Sequence, residues 1–249
     1  MRKVSLLIVS MLAACSDPNL ASKVADLEQR VAKMEEGGAK AAAGRPGAPG
    51  AGPAAPLNEE EEKAAAELLK AASQASEAMK YDEAKAKIAE LKAKYPNTRP
   101  ARASVRLEEE LAVIGKPSQD LNVEKMMQGT APSLTNDKAT LVVFWEIWCP
   151  HCKQEVPKLQ ETYTKYSGKG LQMVGLTKMT KGSTEEQVAE FLKTQKVTYP
   201  IAKEAGQSTS EYYGVKGIPA AVVVKGGKVV WRGHPARLTD AMLEKFIGG

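Results

Sequence analysis

Runs of apolar residues divide the C-terminal half of the chain into predicted strands and helices. Residues 139–145 form a nearly continuous apolar run, which is typical of a strand buried on both faces of a sheet. Helical spacing of apolar residues follows and continues to about Tyr166. Further runs predict strands over 171–176, 220–225 and 229–231, and helices over 184–195 and 238–247. This alternation predicts an α/β domain over 115–249.

Residues 58–114 show helical periodicity instead. Asn58 is a favourable N-cap residue, and the four glutamates that follow it suit the positive end of a helix dipole. This helix should run to about Met79. A second helix is expected over 82–95 and should stop before Pro96, because proline disfavours helical geometry in the residue that precedes it.

A third helix is expected to start after Asn97 or Thr98 and to end at Ile114, with Gly115 as its terminator. The segment should therefore form a small all-α helical hairpin module. Residues 80–97 resemble the second helix of a tetratricopeptide repeat, which implies a surface for docking a protein partner. A spacer or packing module is the alternative.

The N-terminus has the pattern of a targeting segment. Residues 1–3 are basic at two positions, and the apolar stretch 4–12 is too short to span a bilayer as a helix. Residues 12–15, Leu-Ala-Ala-Cys, resemble the bacterial lipobox. The resemblance implies that the signal peptide 1–14 is removed and that Cys15 is lipidated. A plain secretory signal with an unrelated cysteine is the alternative.

Residues 15–57 should form a tether. Within 20–36, apolar residues follow the 4-3-4-3 spacing of a coiled coil, at just over two heptads. A homo-oligomer and a single helix lying against another surface are both compatible with this length. Residues 37–56 are almost wholly Gly, Ala and Pro, a composition typical of a flexible, semi-extended linker.

Composition excludes some classes of function. The chain has 249 residues, 43% of them apolar, which is enough for a substantial core. Lys and Arg (35) exceed Asp and Glu (30) by five, but the charges are interspersed and aromatic residues are only 5%, so we expect no nucleic-acid partner. Three cysteines cannot form a disulfide framework.

Two cysteines three positions apart predict redox chemistry. Cys149 and Cys152 lie at the junction of a predicted strand and helix, where unpaired backbone N–H groups favour a thiolate at Cys149. Cys149 is therefore the predicted nucleophile, and Cys152 would resolve the mixed disulfide. A metal site is the alternative, but it needs four ligands, and the chain has two histidines besides this pair. We expect no metal and no cofactor.

Residues 115–249 resemble thioredoxin-fold proteins of the TlpA and ResA type, which are membrane-tethered extracytoplasmic disulfide oxidoreductases. The similarity lies in four stretches, namely Gly-Lys-Pro at 115–117, Phe-Trp-Glu-Ile-Trp-Cys-Pro-His-Cys at 144–152, Lys-Gln-Glu-Val-Pro at 153–157 and Gly-Ile-Pro at 217–219. The resemblance implies an α/β thioredoxin fold for this part of the chain.

The resemblance also implies roles around the cysteines. Pro219 should be a cis proline facing them, and the backbone of Ile218 should pair with an extended substrate. Glu155 should tune the thiols, with a solvated surface carboxylate as the alternative, and Trp148 should border the substrate groove. Cytoplasmic thioredoxins have a buried acid where this chain has Val143, so that proton-transfer route should be absent.

The dipeptide between the cysteines leaves the direction of electron flow open. Pro150-His151 resembles the dipeptide of the periplasmic oxidant DsbA, and His151 can stabilise a thiolate at Cys149 and make the disulfide oxidising. The chain lacks a large helical insertion of the DsbA kind within its fold, so this dipeptide alone does not determine the direction.

These observations predict a lipid-anchored thiol-disulfide oxidoreductase on the periplasmic side of the inner or outer membrane. Expected partners are protein thiols and disulfides, a membrane redox protein, the membrane itself and a second copy of the chain through 20–36. An oligomeric isomerase is one alternative. A non-enzymatic interaction lipoprotein, with the thioredoxin domain as scaffold, is another.

Overall fold

Six strands form one mixed sheet within residues 58–248, the part of the chain that the computed structural model describes. The order across the sheet is β1-β4-β3-β2-β5-β6. The three central strands β4, β3 and β2 are parallel, and the pairs β1–β4, β2–β5 and β5–β6 are antiparallel. The strands are β1 (Val123–Gln128), β2 (Thr140–Phe144), β3 (Gln172–Thr177), β4 (Ile201–Glu204), β5 (Ala220–Lys225) and β6 (Lys228–Gly233).

Eight α-helices accompany the sheet in this part of the chain. Four helices precede the sheet, and the other four lie between its strands or after them. This order confirms the prediction of a helical segment followed by an α/β thioredoxin fold. The helices are α1 (Glu59–Glu77), α2 (Tyr81–Lys94), α3 (Arg99–Ala103), α4 (Val105–Ala112), α5 (Pro150–Tyr166), α6 (Glu185–Thr194), α7 (Ser208–Tyr212) and α8 (Asp240–Gly248).

Most elements predicted for the C-terminal part lie within two residues of their expected ends. Three elements were missed: β1, β4 and α7. β1 alternates irregularly between exposed and half-buried residues because its pairing with β4 has two register shifts. β4 has four residues and α7 has five, so neither is long enough to give a clear period.

The sheet is buried on both faces, and β2 shows this most directly. Leu141 and Val143 face one core, which also contains Cys152 and Val156 of α5. Val142 and Phe144, which alternate with them along the strand, face a second core that contains Tyr213. Successive side chains of a strand point to opposite faces, so a strand at the centre of the sheet is apolar throughout.

The helical segment before the sheet differs from its prediction at one point. Asn58 caps α1 as expected, accepting a hydrogen bond from the backbone N–H of Glu60 at 3.1 Å. The prediction of a single third helix running to Ile114 was wrong, because the helix is interrupted at Ser104, between α3 and α4. The Ser104 hydroxyl donates to the carbonyl of Ala101 at 2.8 Å, a local bond that competes with regular helix geometry.

Helices α2 and α4 contact the edge of the sheet at β6. The Tyr81 hydroxyl donates to the carbonyl of Val230 at 2.9 Å, and the Gly115 N–H donates to the carbonyl of Val229 at 2.8 Å. Burial raises the pKa of Tyr81 to about 12. The helices and the sheet therefore lie in one compact unit, Leu57–Gly249.

The predictions for the N-terminus concern residues outside the described part of the chain. They are the signal peptide 1–14, the lipidated Cys15, the coiled coil over 20–36 and the linker over 37–56. Among the helices of residues 58–248, none has both the length and the apolar character needed to cross a membrane.

Candidate active site

Cys149 stands between the end of β2 and the start of α5. It is the N-cap residue of α5, with extended backbone angles, and Pro150 is the first residue inside the helix. Proline suits this position because the first helical N–H has no intrahelical partner. The backbone N–H of Cys149 donates to the carbonyl of Glu146 at 3.1 Å, so the turn before the helix is fixed.

Both cysteines are free thiols, and their burial differs. Cys152 is fully buried, whereas 5% of Cys149 is exposed. The Cys149 thiol donates to the carbonyl oxygen of Ile218, with Sγ and O 3.8 Å apart. Both cysteines are therefore buried, and Cys149 is the one with a small exposed area.

Burial raises the pKa of the Cys152 thiol well above its ordinary value, and a hydrogen bond with Cys149 adds to this effect. A thiol reacts as its thiolate, so the raised pKa keeps Cys152 protonated and unreactive at neutral pH. Between these two groups, Cys149 is the one placed to attack first.

A cavity of about 430 Å³ opens beside Cys149. Its walls include Glu146 and Trp148 before the helix and Ile218 opposite. The Ile218–Pro219 peptide bond is cis, as the resemblance implied. Ile218 lines the cavity, and its backbone carbonyl oxygen lies 3.8 Å from the Cys149 sulfur.

Glu146 is a functional candidate that sequence reasoning missed. It is 4% exposed, and its carboxylate accepts three hydrogen bonds. The donors are the Thr177 hydroxyl at 3.3 Å, the Thr180 N–H at 3.3 Å and the Thr180 hydroxyl at 3.2 Å. The available signal was a charged residue between the apolar run 139–145 and Cys149, because a buried carboxylate needs hydrogen-bond donors around it.

Trp148 is positioned through the same contacts. Its indole N–H donates to the Thr180 hydroxyl at 3.0 Å, and that hydroxyl donates in turn to Glu146. The ammonium group of Lys181 lies 3.5 Å from the centre of the Trp148 ring, a cation–π contact. Trp148 is 37% exposed and borders the cavity, as expected.

Glu155 lies on α5 and is not a solvated surface carboxylate. Its side chain is 11% exposed and pairs with Lys158 at 2.8 Å. Burial lowers the pKa of His234, and the Glu155 carboxylate opposes this shift. The charge of Glu155 therefore acts on His234, and the proposed influence of Glu155 on the thiols stays a prediction.

Pro150 and His151 occupy the first turn of α5, and both are exposed. Val143 is fully buried in β2, where cytoplasmic thioredoxins have their acid. Two buried acids line the cavity instead, Glu146 after the strand and Glu204 at the end of β4. Within residues 58–248, no group of three or more His, Cys, Asp or Glu side chains is arranged to hold a metal ion.

Comparisons with known proteins find similarity over the same part of the chain. A model of the AhpC/TSA family matches residues 114–232. The thiol-disulfide oxidoreductase ResA of Bacillus thuringiensis is 30% identical over 143 residues, which cover 56% of this chain and 80% of that protein. The sporulation thiol-disulfide oxidoreductase A of Bacillus subtilis is 27% identical over 101 residues, 40% of this chain and 61% of that protein.

Solved structures give similar coverage. The crystal structure of StoA from Bacillus subtilis covers 53% of this chain and 98% of its own, with 22% identity and a TM-score of 0.43. A thiol-disulfide isomerase from Corynebacterium glutamicum covers 53% of this chain and 94% of its own, with 22% identity and a TM-score of 0.45.

Proposed function

The chain belongs to the family of ResA-like, thioredoxin-fold thiol-disulfide oxidoreductases, and we propose that it exchanges disulfides with protein substrates through Cys149 and Cys152. One observation supports this most strongly. The Cys149 sulfur lies at the N-terminus of α5 and beside the Ile218 carbonyl at the mouth of a cavity, with the protonated Cys152 thiol directly behind it.

Reduction of a substrate would take two steps. The Cys149 thiolate attacks one sulfur of the substrate disulfide, forming a mixed disulfide and releasing the first substrate thiolate. Cys152 then loses its proton and attacks the Cys149 sulfur, which releases the second substrate thiolate and forms the Cys149–Cys152 disulfide. Two electrons pass to the substrate, and the reverse sequence oxidises it.

The raised pKa of Cys152 gives this sequence an order. Cys152 stays protonated while the mixed disulfide forms, so it does not compete with Cys149 for the substrate. The departing substrate thiolate is a base that can accept the Cys152 proton. Resolution would thus follow substrate attack rather than precede it.

Ile218 would position the substrate. Its carbonyl is at the cavity mouth and accepts only a long contact from the Cys149 thiol, at 3.8 Å. An extended substrate segment can donate a backbone N–H to this carbonyl and place its own cysteine next to Cys149. Trp148, on the other wall, would exclude water from the reacting sulfurs.

The place of action is part of the proposal. The Leu-Ala-Ala-Cys sequence at 12–15 supports lipidation of Cys15 and attachment to a membrane on its periplasmic side. A protein that reduces substrates there needs electrons from a membrane redox partner, because the compartment is oxidising. Globomycin treatment of expressing bacteria would test the lipoprotein assignment; accumulation of the uncleaved precursor is expected, and unchanged processing would contradict it.

The direction of exchange follows from the reduction potential of the cysteine pair. Equilibration of the full chain with glutathione would give a reduction potential of about −270 mV for a reductant and about −120 mV for an oxidant such as DsbA. The exposed His151 favours the second value, whereas the fold and Glu155 favour the first. We propose reduction, so a value above about −180 mV would contradict this part of the proposal.

Insulin reduction by the full chain tests the chemistry itself. The wild type should accelerate precipitation of the insulin B chain, and Cys149→Ser should abolish the acceleration. Cys15→Ser is the matched control, since it removes a cysteine outside the proposed pair and should leave the rate unchanged. Equal rates for the wild type and Cys149→Ser would favour the alternative of a non-enzymatic scaffold.

A further inference from the structure

A second cavity of about 260 Å³ lies next to the one beside Cys149. The two cavities share Lys216 and Gly217, which directly precede Ile218 in the chain. Arg106, Glu109 and Glu110 line the second cavity from helix α4. A substrate segment that pairs with Ile218 thus has a continuous path from Cys149 to a surface formed by the N-terminal helices.

Positive charge exceeds negative charge around this cavity. Glu110 is 4% exposed, and three arginines surround it, forming ion pairs with its carboxylate from Arg106, Arg232 and Arg237. Glu109 forms an ion pair with Lys216. The cavity lining itself holds three cations and two carboxylates, so one positive charge is in excess there; Arg237 pairs with Glu110 but is not part of the lining.

Two of the cations point donors toward the open side. The Arg106 side chain is 71% exposed, and its bond to Glu110 uses only Nε, at 3.3 Å; within residues 58–248 its terminal amino groups have no hydrogen-bond partner. The Lys216 side chain is 75% exposed. Its pair with Glu109 is a surface ion pair of small net energy, so a ligand carboxylate can replace Glu109.

Arg232 gives the cavity a fixed base. Its side chain is 6% exposed, and its guanidinium donates to the carbonyls of Tyr213 and Gly214, each at 3.2 Å. These bonds hold the cation in place, and the Glu110 carboxylate, 3.9 Å away, balances part of its charge. A buried cation whose position is fixed by carbonyls attracts a nearby anion more strongly than a freely solvated one, because water screens it less.

We propose that the second cavity binds an acidic side chain of the substrate polypeptide, close in sequence to the cysteine that reacts with Cys149. The proposal rests on the proposed function and adds a preference to it: substrates with Asp or Glu beside the reacting cysteine. Arg106 and Lys216 bind the carboxylate, and helix α4 of the N-terminal module becomes a specificity-determining part of the enzyme. Arginine suits this role because its planar guanidinium can bind a carboxylate with two parallel bonds.

Matched peptides test the preference. Each peptide would contain a disulfide and a pair of acidic residues, and the position of this pair before or after one cysteine would vary along the series. The matched control for each peptide would have Asn or Gln in place of the acidic residues. The full chain should reduce the best acidic peptide with a kcat/KM about fivefold above that of its amide partner. The preference should shrink as ionic strength rises, since exposed charges are screened.

Two variants should change this ratio in opposite directions. Arg106→Gln should lower the acidic preference to about twofold or less, and Glu109→Gln should raise it, because Lys216 is then released. Arg102→Gln is the control: Arg102 is equally exposed on α3 and donates to the carbonyl of Asn97, outside the cavity. It should leave the ratio unchanged.

The possible failures are distinguishable. Turnover of both peptides with no acidic preference at any position would overturn this inference and leave the proposed function intact. A preference that Arg102→Gln lowers as much as Arg106→Gln would also overturn it, since the effect would then come from net charge. Absence of turnover with every peptide would contradict the proposed function itself.

Discussion

Replacement of Glu146 gives the sharpest test of how the site is held together. Its carboxylate is the common acceptor for the hydroxyls of Thr177 and Thr180 and for the Thr180 N–H. Thr180 in turn accepts from the Trp148 indole. Glu146→Ala would leave the buried Thr177 hydroxyl without its acceptor, and it would detach the exposed Thr180, and with it the loop after β3, from the turn before α5.

The structure sets the size of the effect. Hydrogen bonds to a charged group contribute about 1.5–3 kcal/mol each. Removal of the carboxylate also removes its own desolvation cost, so we expect Glu146→Ala to lower the free energy of unfolding by a net of about 2–4 kcal/mol. Glu146→Gln keeps one acceptor oxygen and should lose about half as much.

Urea unfolding of the reduced protein measures this difference. With an m-value of about 2 kcal/mol/M, Glu146→Ala should lower the midpoint by about 1–2 M. Glu161→Ala on the exposed side of α5 is the control and should change the free energy of unfolding by less than about 0.5 kcal/mol. If Glu146→Ala were no more destabilising than this control, the role assigned to Glu146 would be refuted.

Three further predictions follow from the same structure. Because the pKa of Cys152 is raised in the folded protein, its thiol ionises first in the unfolded state. Its contribution to the stability of the reduced protein should therefore be constant below about pH 8 and about 1.4 kcal/mol lower at pH 10. Reduced Cys152→Ala, compared with the wild type by urea unfolding across this range, should lack that part of the loss, and an equal loss would contradict the assignment. Glu110→Ala should destabilise the protein by about 3–5 kcal/mol in thermal or urea unfolding because it leaves the buried Arg232 without its carboxylate, whereas exposed Glu108→Ala should change little. Thr180→Val should shift the fluorescence of Trp148, because it removes the hydroxyl that accepts from the indole N–H. The Trp148 signal is obtained by subtracting the spectrum of the corresponding Trp148→Phe variant. Thr194→Val on α6 is the control and should cause no shift, and equal spectra for Thr180→Val and the wild type would contradict the indole contact.

The sequence was informative wherever a local pattern determines the structure. The apolar run before Cys149 predicted a strand buried on both faces, and β2 is such a strand because it lies between two cores. Asn58 predicted the start of α1 because N-capping is a local interaction. The cis peptide bond before Pro219 was implied by family resemblance rather than by any pattern in the residues.

Features that depend on long-range contacts were not predictable. Glu146 is buried only because Thr177 and Thr180, more than thirty residues later, supply its donors. Ion pairs join Glu110 to Arg232 and Arg237 across more than a hundred residues, and no spacing rule relates them. Strand β1 exists because β4 pairs with it, and its own sequence alternates too irregularly to indicate a strand.

Trapping of the mixed disulfide tests the central claim most directly. The full-length Cys152→Ser and Cys149→Ser variants, each with Cys15 replaced by serine, would be incubated with an oxidised peptide disulfide and analysed by intact-mass and peptide mass spectrometry. The account predicts a stable peptide adduct on Cys149 in the Cys152→Ser variant and none in the Cys149→Ser variant, because Cys152 is buried with a raised pKa. Adducts of comparable yield on Cys152, or no adduct in either variant, would contradict it.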